Sequence, residues 1–313
     1  MPGVFDSMIT RGDAAPLIPE QEATQIIQTI PQTSAAMQLL RTVRMSTKTL
    51  TQPVLGSLPV AYWVNGDTGL KQTTDVLWNG ISLTAEELAV IVPIPEAVLD
   101  DAAYPIWSEV RPLLAEALGL KLDQAVFAGT DKPASWPAAI IPATVAAGNE
   151  NTADSTPEQG GLANDLLETF DDVEEDGYDV NGIAARRSVR AGLRKSRDTT
   201  GQRLADVSTN EIEGVPIQYV GAGVFDAATL AIVGDWTMAI LGVRQDLTWK
   251  MLDQAVITDD TGKVLLNLPQ QDSVALRVTA RFGYALAAPI TRVEVDHTGT
   301  AFPFAVLHPA ATP

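Results

Sequence analysis

Residues Asn267–Pro289, NLPQQDSVALRVTARFGYALAAP, contain the pattern that decides the fold. The even-numbered positions from Val274 to Ala288 are all apolar, whereas the odd-numbered positions include Arg277 and Arg281. A period of two over about fifteen residues is typical of a β-strand with one covered face. At roughly 3.3 Å per residue such a strand would run about 50 Å, whereas strands in compact domains average about 5–6 residues. The stretch therefore predicts a strand much longer than one compact domain requires.

The composition is that of a folded, acidic protein. The chain has 313 residues, of which 46% are hydrophobic and 19% charged, so a packed core is expected in one large domain or two ordinary ones. The formal net charge is −18. Because so acidic a surface repels phosphate, sequence-specific binding of DNA or RNA is disfavoured.

Several classes of site and location are disfavoured by what the sequence lacks. It contains no cysteine and only two histidines, His297 and His308, which excludes disulfides and thiolate metal sites and argues against zinc or haem. No apolar run approaches the ~20 residues of a membrane-spanning helix, and the N-terminus has no signal-peptide core. We expect a protein without a membrane segment that is made and folded in a cytoplasm.

The first ninety residues predict elements that project from a globule. Residues 1–45 are broken by glycine and proline and read as an arm with one or two short helices. Residues 46–92 read as two extended arms around the polar tip NGDTGLKQTTD, Asn65–Asp75. Since an isolated two-stranded ribbon is only marginally stable in water, we expect this ribbon to lie on another surface.

The middle of the chain predicts a long helix followed by an α/β region. Pro95–Gly129 has apolar residues at spacings of three and four, which predicts one long helix that Pro105 and Pro112 interrupt and Gly129 ends. From there to about Gln254 the pattern alternates between helices and short strands, and Thr144–Gly161 reads as a linker.

No catalytic, cofactor-binding or metal-binding residues are predicted. The acidic run DDVEED, Asp171–Asp176, lacks the ligand spacing and glycine of a calcium loop and reads as the solvated end of a helix. There is no Gly-x-Ser-x-Gly elbow, and a Ser/His/Asp triad would need a histidine from the C-terminal tail. The chain does not look like an enzyme.

A basic cluster follows the acidic run. Its members are Arg186, Arg187, Arg190, Arg194, Lys195 and Arg197. The cluster could bind phosphate, but the acidic net charge favours pairing with acidic neighbours, either within the chain or on another copy.

The arm, ribbon, long helix and long strand together exceed what one globule can cover, and copies of the same chain are the simplest partners. In this order they resemble the major capsid proteins of tailed bacteriophages, the Hong Kong 97 fold. The resemblance rests on five segments in sequence order: LIPEQEATQIIQTIPQTSAAMQLLRTVRMST, PVAYWVNGDTGLKQTTDVLWNGISLTAEELAVIVPIPEAVLDD, LLAEALGLKLDQAVFAGTDKP, LRKSRDTTGQRL with EIEGVPIQYV and VGDWTMAILGVRQDLTW, and QQDSVALRVTARFGYALAAP. Asp123 and Gly129 stand at positions that recur in the family.

The resemblance implies an α+β fold in four parts. These are an N-terminal arm (1–45), an extended β-hairpin loop (46–92), a peripheral domain with a long spine helix and long β-strands (93–135 and 256–290), and an α/β axial domain (136–255 and 291–313).

The resemblance also implies function and partners. Copies would form hexameric and pentameric capsomers of an icosahedral shell that encloses double-stranded DNA without reading its sequence. Assembly would take place in the cytoplasm of a bacterial host, with a portal, a separate scaffolding protein and a possible decoration or cement protein. Encapsulin shells share the fold and stay open as an alternative, and a small-molecule α/β enzyme is the alternative from another class.

Five residues are candidate contacts between subunits. The resemblance places Trp63, Lys71 and Trp78 where the ribbon would cross a neighbour, and Arg277 and Arg281 where the long strand would face other copies. The tryptophans could instead pack between the ribbon's own strands, and the arginines could simply solvate an exposed sheet face.

Some members of this family join subunits through a lysine–asparagine isopeptide bond that a buried glutamate promotes. Lys71 stands at the lysine position, but the asparagine and glutamate positions fall on Asp272 and Thr279. We therefore expect no such cross-link.

Overall fold

The computed structural model describes residues 34–59, 61, 63, 73–74, 76–102, 105–156, 159–197, 202, 210–259, 261–293 and 301–310. Most of the predicted arm and the ribbon tip that contains Lys71 lie outside these residues. The described chain is a mixture of helices and strands, as the α+β prediction requires.

The helices in chain order are α1 (Ala35–Leu39), α2 (Glu96–Asp101), α3 (Ile106–Asp123), α4 (Ile140–Ala147), α5 (Leu162–Glu175) and α6 (Arg187–Lys195). The strands are β1 (Arg41–Arg44), β2 (Thr49–Leu55), β3 (Trp78–Thr84), β4 (Glu86–Pro95), β5 (Glu150–Ala153), β6 (Gly182–Ala185), β7 (Glu211–Ile212), β8 (Val215–Tyr219), β9 (Ala231–Gly234), β10 (Ala239–Leu252), β11 (Val256–Thr258), β12 (Val264–Asn267), β13 (Ser273–Leu286) and β14 (Phe304–Pro309).

The chain divides into two compact units. One contains Glu87–Gly119 and Gln245–Arg281, and the other contains Ser34–Glu86, Leu120–Arg244 and Phe282–Pro313. A four-stranded sheet has the order β1-β10-β13-β4. The division does not test the four-part arrangement that the resemblance implies, which stays a prediction.

The first unit is built on one face of the long strand. Leu276 and Val278 of β13 pack with Leu114 and Leu118 of α3 in one apolar cluster. These strand residues occupy even-numbered positions, so the covered face is the one that the period of two predicted. β13 itself is 14 residues long, which confirms the predicted length.

The opposite face of β13 differs from the prediction at both ends. Ala275 and Ala285 are buried, with 0% and 2% of their surfaces exposed, whereas Arg277 and Arg281 are half-buried. The second face of the strand is therefore buried at its two ends and half-buried near its middle. Small side chains at the ends allow neighbouring elements to approach, and the long polar ones in the middle keep their charges in water.

The second unit contains a six-stranded sheet with the order β5-β14-β9-β6-β8-β7. Helices α5 and α6 cover it through a buried cluster that includes Leu166, Val189, Leu193, Ile183 and Val233. β14 pairs with β5 in parallel and with β9 in antiparallel orientation. Residues close to the C-terminus thus complete a sheet that begins at β5.

The helix predicted over Pro95–Gly129 is interrupted at Pro105 as expected, but it forms two separate helices, and α3 continues through Pro112. α2 ends at Asp101, and α3 begins directly after Pro105, because a proline disfavours helical geometry in the residue before it and donates no backbone hydrogen bond. The end is as predicted: after one π-helical turn, Gly129 has φ = 76° and its N–H donates to the carbonyl of Gln124.

Candidate functional site

The paired arms of the ribbon are β2 and β3. They are antiparallel and in continuous register from Thr49 opposite Thr84 to Leu55 opposite Trp78. Pairing continues one step further, since Gly56 N–H donates to the carbonyl of Leu77 at 2.7 Å. The returning arm is interrupted at Ala85, where β3 ends and β4 of the four-stranded sheet begins. Sequence and structure therefore agree on a two-stranded ribbon.

The far part of this ribbon exposes large apolar side chains. Trp63 is 100% exposed and Trp78 is 68% exposed, so packing of the tryptophans between the ribbon's own strands is wrong. Val76 and Leu77 are also exposed, and sequence analysis did not single them out. The signal was present, because three consecutive apolar residues in a two-stranded ribbon cannot all face one covered side. Exposed apolar groups at this density are typical of a contact surface.

The two candidate arginines of β13 differ in their surroundings. Arg281 donates from Nε and Nη2 to one carboxylate oxygen of Glu87, at 3.0 and 2.7 Å. Arg277 is half-buried, and within the part of the chain that the structure describes its guanidinium has no hydrogen-bond or ion-pair partner. Arg281 is thus held by its own chain, while the charge of Arg277 remains available.

The positions that correspond to the cross-link chemistry are partly described. The backbone carbonyl of Asp272 accepts a hydrogen bond from Glu96 N–H at 2.8 Å, and Thr279 is half-buried. Lys71 lies outside the described residues.

A buried carboxylate joins the end of α3 to the start of α1. Asp123 accepts hydrogen bonds from Ser34 Oγ at 2.6 Å, Ala35 N at 2.8 Å and Ala36 N at 3.0 Å, and only 2% of its surface is exposed. Burial raises the pKa of Asp123, while the three donated hydrogen bonds oppose that rise. Sequence analysis noted Asp123 only for its position, and the structure shows that it anchors the first described residues of the chain.

Helices α5 and α6 carry charges of opposite sign on exposed faces. Glu168, Asp171 and Glu175 of α5 are exposed, and so are Arg187, Arg190 and Arg194 of α6. We call these the acidic stripe and the basic stripe. In the described ranges neither stripe forms an ion pair. Pairing of the basic cluster within the described chain, one of the two options left open by the sequence, is therefore not observed.

Groups beside the two stripes interact with their charges. The Arg190 guanidinium lies 5.7 Å from the centroid of the Tyr219 ring, and burial raises the pKa of Tyr219 although Arg190 and Arg194 oppose this. Beside the acidic stripe, burial raises the pKa of Asp172, and repulsion by neighbouring carboxylates adds to the rise.

The described residues show neither a metal-binding cluster nor a membrane-spanning helix. No group of three or more His, Asp or Glu side chains there is arranged to hold a metal ion. Among the same residues, no helix has both the length and the apolar character needed to cross a membrane.

Comparisons with known proteins identify the family. The model of the Phage capsid family matches residues 14–290. The chain belongs to this family. The major capsid protein of Staphylococcus phage 80alpha is 26% identical over 84% of this chain and 80% of its own length.

Solved structures extend the match to nearly the whole chain. A chain from Microbacterium phage Oxtober96 is 39% identical with a TM-score of 0.81, and the match covers 97% of this chain and all (100%) of the other. A chain from Mycobacterium phage Cain is 34% identical with a TM-score of 0.83, over 98% and 100% of the two chains. The protein is accordingly a phage major capsid protein, a structural component of the virion, and the resemblance inferred from sequence is confirmed.

Proposed function

We propose that copies of this chain form hexameric and pentameric capsomers, and that these close into an icosahedral shell around the phage's double-stranded DNA. The observation that carries this proposal is the exposure of two tryptophans of the ribbon: Trp78 at the end of the paired arms is 68% exposed, and Trp63 beyond them is 100% exposed. Apolar groups of this size contribute most to binding when they are desolvated in the centre of an interface. A shell subunit supplies that interface from an adjacent copy, so the ribbon would cross its neighbour.

The candidate contact residues differ in how free their side chains are to bind another subunit. Trp63 and Trp78 would pack on the adjacent subunit together with Val76 and Leu77, since all four are exposed. Arg277 would donate to a carboxylate or carbonyl of another copy, because nothing in the described chain neutralises it. Arg281 would contribute less, since Glu87 already holds it. Lys71 remains a proposed contact on the basis of the resemblance alone.

The remaining parts of the proposal follow from the resemblance. The arm, extended loop, peripheral domain and axial domain would have the ranges predicted from the sequence. A portal, a separate scaffolding protein and a decoration or cement protein are proposed partners, and assembly in the cytoplasm of the bacterial host is proposed. No catalytic role is proposed for the chain.

The acidic charge suits a container that does not bind its contents tightly. A net charge of −18 would let DNA slide along the shell lining during filling, because like charges repel. Empty shells are expected to bind duplex DNA weakly at about 150 mM salt. Tight binding under that condition would contradict this part of the proposal.

Electron cryomicroscopy of particles from the purified protein tests the proposal. We expect closed shells with five-fold and six-fold capsomers and a ribbon seated on the neighbouring subunit. Shells that form in the host and contain a protein cargo instead of DNA would favour the encapsulin-like alternative.

Shells of this protein are expected to carry no covalent bond between subunits. At the acceptor position of the isopeptide chemistry, Asp272 lacks the side-chain amide of asparagine. At the base position, Thr279 lacks the carboxylate of glutamate. Denaturing electrophoresis of mature, boiled shells should give one band at the monomer mass of 33.3 kDa. A ladder of dimers to hexamers would show that this expectation is wrong.

A further inference from the structure

We propose that the basic stripe of α6 binds the acidic stripe of α5 on a second copy of this chain. The inference rests on the proposed function, because it names the contact that joins neighbouring subunits within a capsomer. It concerns Arg187, Arg190 and Arg194 on one copy and Glu168, Asp171 and Glu175 on the next.

The spacing within the two stripes is the same. Arg187, Arg190 and Arg194 are separated by three and four residues, and Glu168, Asp171 and Glu175 repeat that separation. Residues at these spacings lie on one helix face, and at ~1.5 Å per residue each stripe is about 10 Å long. Two helices laid side by side could therefore match three cations with three carboxylates.

Within one chain the two stripes do not neutralise each other. α5 and α6 approach closely where Gly192 faces Leu162, since a Cβ at Gly192 would collide with that leucine. Ser196 Oγ near the end of α6 accepts from Ala163 N–H near the start of α5. The acidic stripe lies toward the other end of α5, and in the described structure no ion pair connects the stripes.

The acidic stripe is poorly placed for an isolated chain. Asp171 and Glu175 lie in the last turns of α5, at the negative end of the helix dipole, where carboxylates are unfavourable and cations favourable. The pKa of Asp172 is raised by burial and further by the charges of Glu175, Asp176 and Asp171. A cation from outside the chain would relieve this repulsion.

The occupant that fits is another copy and not a nucleic acid. Each chain carries both stripes, so pairing one with the other between copies forms a head-to-tail interface, and such interfaces generate closed rings when the rotation allows it. A phosphate backbone would match the basic stripe alone, and it would be repelled by a chain of net charge −18.

Charge reversal with rescue tests the proposal. The double variant Arg187→Glu/Arg194→Glu should reduce the yield of shells by more than about tenfold, since like charges now oppose each other across the interface. Adding Glu168→Lys and Glu175→Lys in the same chain reverses the two outer positions of the acidic stripe, which match Arg187 and Arg194 in spacing, and restores the net charge of −18. This exchanged variant should return the yield to near that of the wild type. Lys250→Glu/Lys263→Glu reverses two other exposed lysines and is the matched control, which should assemble normally.

Several results would contradict the contact between the two stripes. Normal shells from Arg187→Glu/Arg194→Glu, failure of the exchanged variant, or equal loss in the lysine control would overturn the stripe contact while wild-type shells still support the proposed function. Normal shells that retain less DNA would also overturn it and assign the basic stripe to phosphate. If the reversed variant does not fold by circular dichroism, Arg187→Gln/Arg194→Gln replaces it. This milder variant should lose the salt sensitivity of wild-type capsomer association, and retained sensitivity would count against the proposal.

Discussion

Replacing Asp123 with alanine is expected to lower the free energy of unfolding by about 3 kcal/mol, because it leaves buried donors without acceptors at roughly 1–3 kcal/mol each. Those donors are Ser34 Oγ and the backbone N–H groups of Ala35 and Ala36. Relief of a buried charge offsets part of the loss. The same contacts also hold the last part of the predicted arm in place. Urea unfolding monitored by tryptophan fluorescence measures the change.

Asp131→Asn is the matched control for this prediction, because asparagine removes the charge and still tolerates the positive φ of 52° at this position. Asp131 lies eight positions further along the chain, and its side chain is 71% exposed in an ion pair with Lys121. Because exposed pairs contribute little, this variant should unfold at nearly the wild-type midpoint. Equal midpoints for Asp123→Ala and Asp131→Asn would show that the buried anchor contributes no more than a surface carboxylate.

The same carboxylate predicts a dependence on pH. Burial raises the pKa of Asp123 in the folded state above its ordinary value of 3.8. At pH values between the unfolded-state pKa and this raised folded-state pKa, the folded state binds more protons than the unfolded state. The associated stability is complete below pH 3.8 and is lost as pH rises through the folded pKa. The stability advantage of the wild type over Asp123→Asn should therefore shrink with rising pH in that interval. Unfolding curves at closely spaced pH values measure it, and an advantage that grows would contradict the raised pKa.

Replacing residues 56–77 with Asn-Gly is expected to abolish shell formation while the chain still folds. Leu55 and Trp78 are directly opposite in the ribbon register, and a two-residue Asn-Gly turn connects such positions with the natural strand twist. The replacement removes the exposed Trp63, Val76 and Leu77, whose burial on a neighbour the account requires. Electron microscopy and sedimentation measure the assembly.

Single substitutions separate loss of contact from loss of folding. Trp63→Ser and Trp78→Ser should each weaken association by about 2 kcal/mol, roughly thirtyfold in the association constant. Val293→Ser, at a residue that is 67% exposed outside the ribbon, is the matched control and should assemble as the wild type does. Normal assembly of the ribbon-deleted chain, or of both tryptophan variants, would show that the ribbon does not join subunits.

Local patterns predicted the parts of the fold that have a strong period. β13 and α5 follow their apolar spacing, and Gly129 ends its helix as a left-handed residue. The sequence also predicts an interruption at Pro105, but the apolar spacing that continues across this proline does not show that the chain forms two separate helices there.

Elements that depend on distant partners were not accessible from local sequence. β5 has the polar sequence Glu150–Ala153 and lies within the segment interpreted as a linker, yet it pairs with β14 near the other end of the chain. The role of Asp123 likewise depends on backbone groups 87 and 88 residues away. Among the candidate contacts, the availability of Arg277 and the pairing of Arg281 with Glu87 needed coordinates, since both arginines occupy the same side of one strand.

Sedimentation velocity of the purified chain, with microscopy of the sedimenting fractions, shows whether copies of this chain assemble into shells through the ribbon. We expect the chain to collect in closed shells many times larger than its 33.3 kDa monomer, with Trp63 and Trp78 protected from solvent quenchers in the shells. A folded chain that sediments only as a monomer at high concentration, with both tryptophans still open to quenchers, would contradict this expectation.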